Sequence, residues 1–141
     1  MLDELQLVLD YLEDNGTSGL VWTTLDITYA PPFVERAWTP FQIGEIDYRF
    51  CIHRIHPCDE DLALYHPHPW PSAVKLLQGT YRHHVGIQIA TGEIRTLTTH
   101  HLEAGCAYQM TDPVGYHRVV PVGSLSLSAM LMGPLYKHTL P

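Results

Sequence analysis

The hydrophobic pattern changes period once along the chain. Leu2, Leu5, Val8, Leu9 and Leu12 form one apolar stripe, which predicts a helix over 2–14. Leu7 and Tyr11 fall off that stripe, and Asn15-Gly16 marks a helix end. Beyond Gly19 the period becomes that of strands. Segment 21–29 is rich in Val, Trp, Thr, Ile and Tyr and is broken by Ala30-Pro31-Pro32. Further strands are expected at 45–55, 73–81, 85–90, 93–99, 105–110, 117–120 and 124–132, with Thr91-Gly92 as a hairpin turn. In the last of these, Ser124, Ser126 and Ser128 alternate with Leu125 and Leu127, so a polar face opposes an apolar one. The serine face would look either into a cavity or out to solvent. Many short strands behind one helix predict an all-β sandwich or closed barrel. The expected division is a helix and connection at 1–19 and one β domain at 20–141, with the helix packed on the barrel exterior or at a dimer contact.

Composition narrows the partners. The 141 residues suit one domain, and only 16% are charged, as expected of a β-rich domain with few exposed helices. The net charge is −7, and residues 1–35 carry seven acids (Asp3, Glu4, Asp10, Glu13, Asp14, Asp26 and Glu35) without a Lys or Arg. The remaining eight acids match the eight basic residues. No basic patch is present to neutralise phosphates, which argues against nucleic acid and against an anionic membrane surface. No apolar run reaches the roughly 20 residues of a membrane span, and no basic leader begins the chain, so a cytoplasmic setting is expected. Cys51, Cys58 and Cys106 read as free thiols of a reducing compartment, with Cys51 or Cys106 the ones a site would use.

The chemistry lies in the histidines. His66 and His68 are two apart, so on a strand both imidazoles face one way. They lead into a strand-like run that stops at Gly79. Pro67, Pro69 and Pro71 remove backbone donors along one side, so this stretch pairs on one side only and suits a barrel mouth. His117 follows the turn Pro113-Val114-Gly115 and re-enters a strand. Neutral imidazoles bind zinc, iron, copper or nickel, and three of them leave coordination positions open. If no bulge intervenes, the same register carries Trp70, Ser72, Val74, Leu76 and Gln78 to the face of His66 and His68. The adjacent pairs His83-His84 and His100-His101 read as surface residues, since only one of each can face inward. His53 and His56 are candidates to line a cavity.

With these motifs the chain resembles the cupin superfamily. His66, His68 and Gly79 fall in the first cupin motif, and Gly105, Pro113, Gly115 and His117 in the second, with one gap longer and one shorter than usual. The position of the motif's glutamate ligand holds Ser72, and no acid lies between Asp61 and Glu93. The pattern is therefore that of a three-histidine cupin, distantly similar to the thiol dioxygenases. Around Ala73 the thiol that cross-links in those enzymes has no counterpart.

The resemblance implies a cupin-type double-stranded β-helix, or jelly-roll barrel, with a short N-terminal α-helix. It implies one divalent transition metal on His66, His68 and His117, with Fe(II) favoured over Zn, Ni or Mn. The expected function is a non-haem iron(II) dioxygenase acting on a small anionic molecule. The alternatives are a metal-dependent isomerase, lyase or hydrolase and a non-catalytic small-molecule-binding barrel. Arg54 and Tyr136 are the catalytic candidates. Arg49, Trp70, Gln78 and Tyr108 are the substrate-binding ones, because a carboxylate substrate wants a guanidinium. A homodimer is expected on base rate and resemblance.

Overall fold

A computed structural model of the protein describes residues 1–136; residues 137–141 of the expected β domain lie outside the described residues. The order is α1 (Leu2–Asn15), β1 (Thr23–Ile27), β2 (Val34–Ile43), β3 (Ile46–Ile55), a 3-10 turn (Glu60–Leu62), β4 (His66–Pro67), β5 (Ser72–Gln78), β6 (Thr80–Gln88), β7 (Ile94–Glu103), β8 (Ala107–Met110), β9 (Tyr116–Pro121) and β10 (Ser126–Met132). Two antiparallel sheets face each other as a jelly roll. One has the order β1-β2-β3-β10-β5-β8, the other β4-β9-β6-β7.

The six-stranded sheet is apolar on both faces. On the outside, Leu5 and Val8 of α1 are buried against Tyr48, Phe50, Ala73, Ala129 and Leu131, with Leu9 and Leu12 at the margin. Each such buried aliphatic contributes about 1.5–3 kcal/mol. Leu7 and Tyr11, off the stripe, remain exposed. The Gly16 N–H closes the helix on the Leu12 carbonyl at 2.8 Å. On the inside, the alternate positions Cys51, Val74, Met130 and Met132 pack with Trp38, Trp70, Tyr108 and Met110. Ser126 and Ser128 share the inward register of Met130 and Met132 and are buried. The serine face of β10 therefore looks inward, not to solvent.

Two elements differ from expectation. β2 falls in a stretch that holds Pro40 and follows Pro31-Pro32, and it is nonetheless a ten-residue strand. β1 pairs only Val34–Trp38, so Pro40 lies where β2 has β3 as its sole strand neighbour and the missing N–H is tolerated. β6 runs unbroken from Thr80 to Gln88, so Arg82, His83 and His84 are strand and not loop. The turn before it needs Gly79. Its φ is +84°, and an added Cβ would stand 2.9 Å from the Leu125 carbonyl oxygen.

Candidate metal centre

β4 is two residues long and, among the described residues, pairs only with β9, placing His66 directly opposite His117 and Pro67 opposite Tyr116. The proline-rich stretch thus pairs on one side, as its missing donors require. His68, two residues on, swings to the same side. Ring centroids are 4.5 Å apart for His66 and His117, 4.7 Å for His68 and His117, and 5.0 Å for His66 and His68. One ligand atom from each of the three lies within 4.8 Å of the other two. No carboxylate or thiol joins this cluster among the described residues. His68 Nε2 and His117 Nε2 are 2.7 Å apart. Two imidazole nitrogens bound to one ion at about 2.0–2.1 Å sit roughly 3 Å from each other, so the donor set fits a divalent ion with little adjustment.

The imidazoles are neutral, as ligands must be. Burial pushes His68 down to about 3, helped by the charges of His66, Arg36 and His83. Burial likewise holds His117 well below its ordinary value, with His66, His68 and His83 adding to the shift. His66 is lowered by burial, partly offset by its contact with the Leu64 carbonyl. Ser72, where the resemblance would have a glutamate, is fully buried and supplies no charge.

Sequence reasoning missed several groups around the cluster, namely Arg36, Tyr81, His83 and His84. His83 is buried, and its Nε2 lies 3.0 Å from His117 Nδ1. Its ring stacks on Tyr108 at 4.2 Å, and the Tyr108 hydroxyl meets that of Tyr81 at 2.7 Å. His84 faces the other way and is buried too, with its Nδ1 hydrogen-bonded to the Thr99 hydroxyl at 2.8 Å and its Nε2 beside a Glu60 carboxylate oxygen at 2.6 Å. The reading of this pair as surface is therefore corrected: β6 is continuous, so its period sends one ring inward, and the segment before β4 covers the other. Arg36 on β2 donates from Nε to His53 Nε2 at 2.9 Å, and its charge reaches His66 and His68. Burial, then the charges of Arg36 and His68, hold His53 at about 3.

The expected substrate residues fall in different places. Trp70 lies beside His68, with ring centroids 5.9 Å apart, and Arg49 covers its ring at 4.7 Å. Trp70, Tyr108, His68, His83, His100 and His117 all line one cavity of about 360 Å³. A wider trough of about 710 Å³, walled by Pro67, Pro69, Pro113 and Val114, also reaches His68. The Tyr136 N–H binds the Pro69 carbonyl at 2.8 Å, and its hydroxyl feels the charge of Asp112, which lines the cavity. Arg54 does not join them. It shares the outer register of Phe50 and pairs with Glu35 at 3.3 Å. Gln78 is exposed at the far end of β5, six residues beyond Ser72. At about 3.3 Å per residue this is roughly 20 Å from the cluster end of the strand.

No protein-family model and no curated protein matches the sequence. Solved structures do match in fold. An Fe(II) form of HppE with the alternative substrate (S)-1-HPP has a TM-score of 0.59 at 8% identity, covering 79% of this chain and 55% of that one. The chain thus spans about half the length of HppE. KdgF from Halomonas sp. has a TM-score of 0.53 at 17% identity, covering 82% and 91%. An RmlC-like cupin from Shewanella frigidimarina NCIMB 400 has a TM-score of 0.51 at 15% identity, covering 84% and 90%. The likeness at these identities is one of fold: the chain is a cupin-like jelly-roll barrel with one N-terminal helix, and three of its imidazoles lie close enough together to hold a metal ion.

Proposed function

We propose that this protein is a metal-dependent cupin enzyme, a non-haem iron(II) dioxygenase acting on a small anionic molecule. One observation carries the proposal: His66, His68 and His117 bring three ligand atoms within 4.8 Å with no carboxylate among them. The HppE neighbour crystallised with Fe(II) makes iron the first metal to test. An iron(II) ion held by the three imidazoles would supply electrons for dioxygen and a positive charge for an anionic substrate atom.

The chain's own residues support the rest of the reading. Neutral ligands leave the ion's charge uncompensated, which favours an anionic substrate. Arg36 replaces Arg54 as the guanidinium at the cluster, since it donates to His53, whose charged form burial disfavours, and so meets no carboxylate there. Arg49, stacked on Trp70, is the second. Trp70, Val85, Leu97, Tyr108 and Met110 give the cavity an apolar part of its wall. Tyr108 and Tyr136 remain the proposed hydroxyl donors. Residues 20–141 are taken as the barrel domain with 1–19 as its cover, supported by α1 lying on β3, β5 and β10.

Dioxygen-free isomerase or lyase chemistry is the second reading. It is favoured by His100, a cavity-lining imidazole outside the ligand set that would serve as a general base. Oxygen uptake by the iron(II)-reconstituted protein with small thiols and diketones separates the two. Substrate-dependent uptake that is lost in His66→Ala supports the dioxygenase, and stoichiometric metal with no uptake across such substrates favours the second reading.

A further inference from the structure

We infer that His83 is a positioning residue that selects the metal-binding tautomer of His117; the inference rests on the three-imidazole reading above. His117 Nε2 faces His68 Nε2 at 2.7 Å, so this nitrogen belongs to the cluster. To bind an ion there, Nε2 must carry a lone pair, and the ring's single proton must then sit on Nδ1. The atom facing Nδ1 is His83 Nε2, at 3.0 Å. His83 must therefore accept the hydrogen bond and hold its own proton on Nδ1. With the opposite arrangement, His117 would carry its proton toward His68 and block the ion.

The surroundings fix His83 for this task. It is 4% exposed. Its ring stands nearly perpendicular to His117, at 78°, and lies almost flat on Tyr108, at 27°. The Tyr108–Tyr81 hydroxyl bond locks that stacking partner in turn. A metal-binding histidine is commonly oriented by a carboxylate, a carbonyl or a water. Here the acceptor is a neutral imidazole, so it adds no negative charge behind the ligand and leaves the ion's charge to be met by substrate.

The test is the affinity for Co(II) and Zn(II), added alone to the metal-free full chain, in wild type, His83→Leu and His83→Gln. The expected result is a loss of about 10–100-fold in His83→Leu. His83→Gln, whose Oε1 accepts from Nδ1–H, should recover most of it. The visible spectrum of the Co(II) form should shift in His83→Leu and return toward wild type in His83→Gln. Equal affinity and identical spectra in all three would overturn the inference, and so would a Gln variant no better than Leu. A wild type that binds neither ion would instead overturn the three-imidazole reading. If His83→Leu does not fold, the wild type still decides: long-range ¹H–¹⁵N correlation of the metal-free protein should show the His117 proton on Nδ1, and a proton on Nε2 contradicts the inference.

Discussion

Arg36 and His53 stand opposite each other across β2 and β3, and the guanidinium donates to the imidazole at 2.9 Å. The pair points into the barrel, whereas Arg54, one residue past His53, points out to Glu35. A strand's period of two thus decides which arginine reaches the histidine cluster.

That contrast gives a first prediction. Arg36→Ala should weaken binding of an anionic substrate by about 10–100-fold, the loss of a charge-assisted hydrogen bond worth roughly 1.5–3 kcal/mol. Arg54→Ala, which removes an exposed ion pair, should leave binding within about twofold. Calorimetric titration of the metal-loaded protein with small carboxylates checks both, and equal losses at the two positions would be contrary to the account.

Acid should destabilise the metal-free protein. Burial, with the positive neighbours described above, holds His53 and His68 at about 3; burial, then His100, His84 and His66, holds His83 at about 4. The unfolded chain protonates these groups near 6.5 and so binds more protons than the folded one below that pH. Stability should fall as pH drops from about 6.5 toward 4, by at most ~1.4 kcal/mol per pH unit for each group. Tm measured from pH 7.5 to 5 should decline below about 6.5; a flat profile would mean that the imidazoles are not held neutral.

Gly79→Ala tests the turn between β5 and β6. The positive φ and the 2.9 Å approach to the Leu125 carbonyl leave no room for a Cβ. A loss of about 1–3 kcal/mol is expected in urea unfolding. A change under about 0.5 kcal/mol would show that the turn relaxes freely.

What was legible in the sequence was what periodicity encodes. His66 and His68 share a face because they are two apart on an extended segment, and the stripe of Leu5 and Val8 predicts the buried side of α1. Periodicity gives a face only while the register holds and says nothing of depth: the pairing of β5 with β10 shifts between Leu76 and Gln78, so Gln78 stands opposite Leu127 and not in the register of Val74, at the far end of β5. Local composition also hid elements that pairing creates. Pro40 masked β2 and with it Arg36, because the tolerance for that proline depends on how far β1 extends. His83-His84 looked solvated because the residues that bury His84, Glu60 and Thr99, are distant in sequence. His83 in particular became visible as a neighbour of His117 only once β6 and β9 were paired.

The central claim is that His66, His68 and His117 hold one divalent ion. The most direct measurement is elemental analysis of untagged protein after iron(II), manganese, nickel or zinc reconstitution, beside the His66→Ala/His117→Ala double variant. The account predicts close to one ion per chain in the wild type and a loss of binding in the folded variant. A wild type that takes up no metal, or a variant that retains it, would contradict the account and leave the barrel as a metal-free ligand-binding protein.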